Sequence, residues 1–147
     1  MPITPATAED LQPIRNLLDG QGLPSADIDQ GSLKTFLVLR DEKQISGLVG
    51  LDLLGSIAML RSLAVRPQCR SAGLGAQLLA AAEAHAVKLG ISTLYLLTTD
   101  ADRYFAAKGY RSLERTDAPP EIKQHPQFRS LCPSTSIIMR KVLGREP

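Results

Sequence analysis

Cysteine is scarce in this sequence, and two further features are missing from it. The two cysteines, Cys69 and Cys132, have a spacing that matches neither a metal-binding motif nor a disulfide framework. No segment approaches the roughly 20 apolar residues of a membrane-spanning helix, and the start of the chain lacks the basic and apolar stretches of a signal peptide. We therefore expect a soluble, cytoplasmic protein with no bound metal and no membrane partner.

The sequence also has little net charge. Its 17 basic and 15 acidic residues leave a net charge of +2, which creates no strong field for attracting nucleic acid. Basic residues gather locally at Arg61, Arg66 and Arg70, which indicates either a solvated face or a site for an anion. At 147 residues, 44% of them hydrophobic, the chain is long enough to bury a core. We expect one domain over residues 1–147 and no nucleic-acid partner.

Hydrophobic periodicity predicts alternating strands and helices. In chain order the predicted elements are a strand in residues 1–7, a helix in 8–20, a loop or short helix in 23–32, strands in 33–40, 44–55 and 56–65, a helix in 73–89, a strand in 91–99, a helix in 100–110, a loop in 118–134 and a strand in 135–143. The helix in 73–89 is predicted to turn Leu74, Leu78, Ala82 and Leu89 inward. This order predicts an α/β fold with a mixed, mostly antiparallel sheet and helices on both faces.

Small residues crowd the start of that helix, in the stretch RSAGLG at residues 70–75. The first N–H groups of a helix have no partner inside it and carry partial positive charge, so small residues there let a phosphate approach closely. A P-loop would need lysine and then Ser or Thr after the last glycine, whereas Ala76 and Gln77 follow Gly75. A dinucleotide fold would need an acidic residue about 20 positions further on, and Asp100 is slightly too far.

A third interpretation starts from the strand before the turn. The segment LRSLAVRPQCRSAGLGAQLL resembles the acetyl-CoA motif of the GNAT superfamily of N-acetyltransferases, with Arg70, Gly73 and Gly75 at the motif positions. The later segment RYFAAKGY matches a second GNAT element, with Gly109 and Tyr110 in place. The combination of motif and element order makes this resemblance more specific than a glycine-rich turn alone.

The resemblance implies a GNAT-type fold and acetyl-CoA as the cosubstrate. In that family the turn holds the CoA pyrophosphate, which here assigns the pyrophosphate to Arg70, Ser71, Ala72, Gly73, Leu74 and Gly75. The exposed backbone of the preceding strand pairs with the pantetheine arm, which here assigns that arm to Leu63, Ala64 and Val65.

Two further resemblances concern the acetyl acceptor. Residues 95–122 look like the C-terminal half of N-acetylglutamate synthase acetyltransferase domains, and residues 128–139 are similar to a small group described as arsenic-resistance N-acetyltransferases. Both imply a small acceptor with an α-amino group, such as an amino acid or its analogue.

The usual catalytic acid and base of GNAT enzymes are missing. Many members have a Glu on the strand before the CoA motif and a Tyr in the short helix, and these positions are Met59 and Phe105 here. Asp52, in an otherwise apolar strand, is the candidate base or a residue on the wet face of that strand. Tyr104 is the candidate proton donor or a packing residue. A positioned acid or base accelerates the reaction roughly 10²–10⁴-fold. Alignment of the reactants can contribute more than this, so transfer without the usual acid and base is feasible.

Four other side chains have more than one interpretation each. Arg61 either binds a substrate carboxylate or pairs with an acid of the protein, and strict strand alternation predicts that only one of Arg61 and Ser62 faces the cleft. Thr98 either contacts substrate at the end of its strand or caps the following helix. His125 is either a general base, a role suited to histidine, or a residue that its proline-rich loop places elsewhere. Cys132 is a nucleophile, an arsenic ligand or an inert buried thiol.

These observations predict an acetyl-CoA-dependent N-acetyltransferase that acts on the amine of a small amino-acid-like substrate by direct transfer. The alternative is an acyl-CoA-binding sensor or regulatory module without catalysis, which the residues at Met59 and Phe105 favour. A homodimer is compatible with either.

Overall fold

The structure, a computed structural model, describes residues 2–42, 44–69, 73–131 and 135–143. The strands are β1 (Ile3–Pro5), β2 (Phe36–Asp41), β3 (Gln44–Leu54), β4 (Ile57–Val65), β5 (Thr93–Thr98), β6 (Arg111–Leu113) and β7 (Ile137–Val142). The α-helices are α1 (Leu11–Gly20), α2 (Leu74–Lys88), α3 (Asp102–Ala107) and α4 (Pro120–Lys123), and a π-helical turn covers Gln127–Leu131. No helix within these ranges is long and apolar enough to cross a membrane.

One seven-stranded sheet organises the molecule, in the order β1-β2-β3-β4-β5-β7-β6. Its neighbouring strands pair antiparallel except β4 and β5, which are parallel. The predicted mixed, mostly antiparallel sheet is confirmed. Strand β6 was not predicted, because three residues directly after a helix are too few to show a period.

The two long helices cover opposite faces of the sheet, as predicted. Helix α1 packs Ile14 and Leu18 into one core cluster, and α2 packs Leu78 and Ala82 into a second. The prediction that Leu89 faces inward is wrong, since this side chain is 44% exposed. The helix ends at Lys88, so the helical period no longer determines where the next side chain points.

Strand β4 contains a bulge near its C-terminal end. Arg61 pairs with Gly50 and Ala64 pairs with Leu48, so two residues of β4 oppose one residue of β3. Ser62 in this bulge has a φ of 61°, which is unusual for a residue other than glycine. The bulge interrupts the alternation of side chains along β4.

Strands β4 and β5 stay paired over only three positions, from Ile57 with Thr93 to Met59 with Tyr95. Strand β5 nevertheless continues to pair with β7 as far as Thr98. The sheet is therefore open between the C-terminal halves of its two parallel strands, where ligands commonly bind in α/β sheets.

Candidate active site

A cleft of about 700 Å³ occupies the opening between β4 and β5. It is lined by residues 20–24 at the end of α1 and just after it, 60–63 of β4 and 96–101 at the end of β5, together with Pro67, Phe105, Gln127 and Ser136. Both Arg61 and Ser62 line it, so the prediction that only one of them faces the cleft is wrong. The bulge is the reason, because it brings two consecutive side chains to the same opening.

The start of α2 is not among the cleft-lining residues but lies beside α3, whose Phe105 lines the cleft. Gly73 is the residue before the helix and has a φ of 75°, a left-handed conformation that favours glycine. The first intrahelical bond is donated by the Gln77 amide to the Gly73 carbonyl at 3.2 Å, so the amides before Gln77 precede the helical ladder. Of the predicted pyrophosphate residues, Arg70, Ser71 and Ala72 lie outside the described residues.

The predicted pantetheine residues lie on β4 in different surroundings. Leu63 lines the cleft, whereas Ala64 is buried in the core beneath α1. The Val65 carbonyl accepts a hydrogen bond of 2.8 Å from Gln21 Nε2, which ties the end of α1 to the end of β4. Their role toward a cofactor stays a prediction.

The polar part of the cleft is organised around the guanidinium of Arg61, which is only 4% exposed. It donates to both carboxylate oxygens of Asp27, with an Nη2–Oδ1 distance of 2.6 Å, and to Asp52 Oδ2 at 3.0 Å. Its Nε donates to Ser62 Oγ at 3.1 Å. Arg61 thus pairs with acids of the protein, and any substrate contact has to be made beside them.

His125 extends this network to the segment after α4. Its Nε2 lies 2.7 Å from Asp52 Oδ2, and its Nδ1 accepts a 3.1 Å hydrogen bond from the Gln127 amide. An accepting Nδ1 carries no proton, so the proton is on Nε2, which donates to Asp52. The histidine therefore connects a carboxylate on β3 to the backbone of a cleft-lining residue.

Arg61, Asp27, Asp52 and His125 form a polar cluster. Its electrostatics favour the ionised forms of Asp52 and Arg61. Burial opposes ionisation of Asp52, but the hydrogen bond from His125 and the charge of Arg61 outweigh it and hold the Asp52 pKa below its ordinary value. Burial likewise lowers the pKa of Arg61, but Asp27 and Asp52 outweigh this effect and raise it. With a neutral imidazole, two carboxylates and one guanidinium give the cluster a net charge of −1.

Asp27, Asp52 and His125 bring three potential ligand atoms within 4.8 Å of one another, as in a metal site. Arg61 already supplies a cationic partner, because its guanidinium bonds to both carboxylates. The geometry is that of an ion-pair network.

The network predicts a specific dependence of stability on pH. A carboxylate whose folded pKa is depressed contributes stability above its unfolded pKa, and this contribution is lost as the pH falls through the folded pKa. Stability should therefore fall as the pH drops below the ordinary Asp52 value of 3.8. Chemical denaturation of wild type and Asp52→Asn between about pH 6 and pH 3 should show a shallower acid loss in the variant. Free energies of unfolding that fall equally with pH in both proteins would contradict the lowered pKa of Asp52.

The positions of the usual acid and base are apolar here. Met59 is fully buried against Tyr95 and Ile122, and Phe105 lines the cleft. The Tyr104 hydroxyl lies near α2, since a Cβ added to Gly75 would be 3.6 Å from it. Burial raises the pKa of Tyr104, so the phenol keeps its proton at neutral pH.

The position of Thr98 is compatible with both substrate contact and capping of the following helix. It lines the cleft, and its Oγ1 accepts a 3.0 Å hydrogen bond from the Ala101 amide just before α3. Capping occupies one lone pair of the hydroxyl oxygen, and the hydroxyl proton can still be donated to a ligand.

Three polar residues of the site were not predicted from the sequence. The sequence places Asp27 only within a loop or short helix, and no sequence pattern distinguishes Gln127 or Ser136 from their neighbours. Asp27 and Arg61 are separated by 34 positions, and His125 and Asp52 by 73. No local pattern in the sequence signals these contacts.

The fold has a helix start suited to an anionic ligand and a cleft whose buried Arg61 suits a small polar ligand. Residues 6–113 match the profile of the acetyltransferase (GNAT) family. The chain belongs to this family.

Curated relatives are amino-acid acetyltransferases. The protein of that name from Pseudomonas putida strain KT2440 is 29% identical over 133 residues, which cover 85% of this chain and 29% of that protein. The one from Haemophilus ducreyi is 32% identical over 75 residues, 51% of this chain and 17% of that protein. The chain therefore spans less than a third of the length of these relatives.

Solved structures share the fold over almost the whole chain. N-acetylglutamate synthase from Neisseria gonorrhoeae, complexed with coenzyme A and N-acetyl-glutamate, has a TM-score of 0.84 at 25% identity, covering 98% of this chain and 35% of that one. Rv2747 from Mycobacterium tuberculosis, in complex with CoA and NLQ, has a TM-score of 0.80 at 18% identity, covering 98% and 100%. The second likeness supports the fold alone.

Proposed function

We propose that this protein transfers the acetyl group of acetyl-CoA to the amino group of a small amino-acid-like acceptor. The observation that carries the proposal is the cleft between β4 and β5, which is lined by Arg61 of the polar cluster and by Phe105 of α3, the helix that lies beside the start of α2. Membership of the GNAT family and the likeness to a synthase complexed with coenzyme A and N-acetyl-glutamate support the same chemistry.

The cofactor half of the proposed site consists of the helix start and β4. The amides of Leu74 and Gly75 at the first turn of α2 bind the pyrophosphate, together with the predicted residues 70–73. The β4 backbone from Leu63 to Val65 aligns the pantetheine arm. Acetyl-CoA supplies an activated thioester carbonyl in the cleft.

Transfer proceeds by direct attack in the ternary complex. The acceptor nitrogen attacks the carbonyl carbon, the C–N bond forms as the C–S bond breaks, the nitrogen loses a proton and the thiolate gains one. Asp52 does not itself line the cleft, so we assign it to receive the amine proton through water. Tyr104 is the proposed proton donor. Alignment of amine and thioester contributes much of the rate, since well-oriented pairs gain roughly 7–11 kcal/mol.

Thermal denaturation with and without acetyl-CoA tests cofactor binding. A ligand at 100 times its Kd stabilises the folded state by about 2.7 kcal/mol, which gives a clear rise in Tm. Release of free CoA is then measured in the same samples against the proteinogenic L-amino acids, with amine-free samples as the control for hydrolysis.

The outcomes separate the proposal from its rival. Stabilisation with amine-dependent CoA release supports the transferase, and mass spectrometry of the product identifies the acceptor. Stabilisation with no release from any amine would favour a binding module without catalysis, as the apolar Met59 and Phe105 suggest. Absence of stabilisation would contradict both.

A further inference from the structure

Two serine hydroxyls are buried with no hydrogen-bond partner among the described residues, those of Ser46 and Ser136. A buried, unsatisfied hydroxyl costs the protein roughly 1–3 kcal/mol. Ser46 is on β3 and is not among the cleft-lining residues, whereas Ser136 lines the cleft and is 4% exposed. Ser136 is therefore a cleft-lining residue whose buried hydroxyl has no partner among the described residues.

The backbone around Ser136 is held firmly, so the hydroxyl has a defined position. Its carbonyl accepts a 2.9 Å hydrogen bond from Arg115 Nη1. The next residue, Ile137, pairs with Thr98 at the end of β5. The backbone of Ser136 is thus fixed next to the end of β5, beside the opening of the sheet.

A second buried polar residue, Gln127, lines the same part of the cleft and is 5% exposed. Its amide is held by His125 Nδ1, and His125 is in turn held by Asp52. The segment that carries Gln127 is therefore anchored to β3 by these two hydrogen bonds, and neither of them uses the Ser136 hydroxyl. Such an arrangement is preorganised for a ligand that completes it.

The charged residues around the cleft restrict which chemical groups that ligand can carry. Among the described residues lining the cleft, Arg61 is the one cation, and Asp27 and Asp52 already pair with it. A hydroxyl can donate to an oxygen atom without requiring a countercharge. A carboxylate or amide oxygen of an amino-acid-like acceptor matches this requirement.

We propose that the Ser136 hydroxyl donates a hydrogen bond to an oxygen atom of the acetyl acceptor and is a specificity-determining residue of the site. This assignment rests on the proposed transferase function. A site that hydrogen-bonds a polar substrate group rejects an analogue without it, because the buried partner would then stay unpaired.

The test compares Ser136→Ala with Ser46→Ala, a matched removal of the other unpaired hydroxyl. In the absence of ligand, both variants should melt at or above the wild-type Tm, because each loses an unsatisfied buried group. With the best acceptor among the proteinogenic L-amino acids, Ser136→Ala should raise the acceptor KM about tenfold and leave the KM for acetyl-CoA unchanged. Ser46→Ala should change neither constant.

Each other result has a definite meaning. A lower Tm for Ser136→Ala in the absence of ligand would show that the hydroxyl supports the fold, and would overturn the proposal. An acceptor KM that stays at the wild-type value in Ser136→Ala would overturn it as well. A wild-type protein that acetylates none of the amino acids would overturn the proposed function itself, and this assignment with it.

Discussion

Replacement of Arg61 by methionine is expected to lower the free energy of unfolding by about 3 kcal/mol. The variant keeps the length of the side chain but removes the guanidinium that bonds to Asp27 and Asp52. The two carboxylates would then face each other without a cation. We expect the low end of the range for broken buried pairs, because these carboxylates keep 17% and 21% of their side-chain exposure. Urea denaturation at neutral pH measures the change.

Two further variants separate this effect from loss of packing. Arg111→Met changes an exposed arginine on β6 in the same way and should stay within about 0.5 kcal/mol of wild type. Adding Asp27→Asn and Asp52→Asn to Arg61→Met should restore much of the lost stability, since neutral amides do not repel each other. A triple variant as unstable as Arg61→Met would show that packing, and not charge, accounts for the loss.

Replacement of Gly75 by aspartate is expected to weaken acetyl-CoA binding at least about 100-fold, because like charges brought together cost several kcal/mol. Gly75 is the second residue of α2 and its φ is not positive, so the fold accepts a side chain. The nearest atom to an added Cβ is the Tyr104 hydroxyl at an ordinary 3.6 Å. An acid in the first turn of a helix is itself stabilising, so the variant should melt at or above the wild-type Tm. Titration calorimetry then measures the lost affinity.

The control places the same charge on the exposed side of the same turn. Gln77→Glu adds an acid to an exposed position of α2 and should keep acetyl-CoA affinity within a few-fold of wild type. Equal losses in both variants would indicate a general field effect. Wild-type affinity in Gly75→Asp would show that the phosphates of the cofactor bind elsewhere.

Much of the fold could be predicted because its signals are local. Ile14 and Leu18 recur at the helical period, and Gly73 and Gly90 mark the beginning and end of α2, both with positive φ. Errors arose where a local rule was interrupted. The bulge at Ser62 broke the alternation of β4, and the end of α2 left Leu89 in solvent.

The sequence by itself determined the order of the elements, the glycine-rich start of α2 and the family resemblance, since these depend on residues close together along the chain. Only the tertiary structure decided what Arg61 pairs with and where His125 lies, because their partners are 34 and 73 positions away. The unpaired hydroxyl of Ser136 is likewise a tertiary property. Whether a buried polar group is satisfied depends on every element packed around it, and no segment of the sequence contains that information.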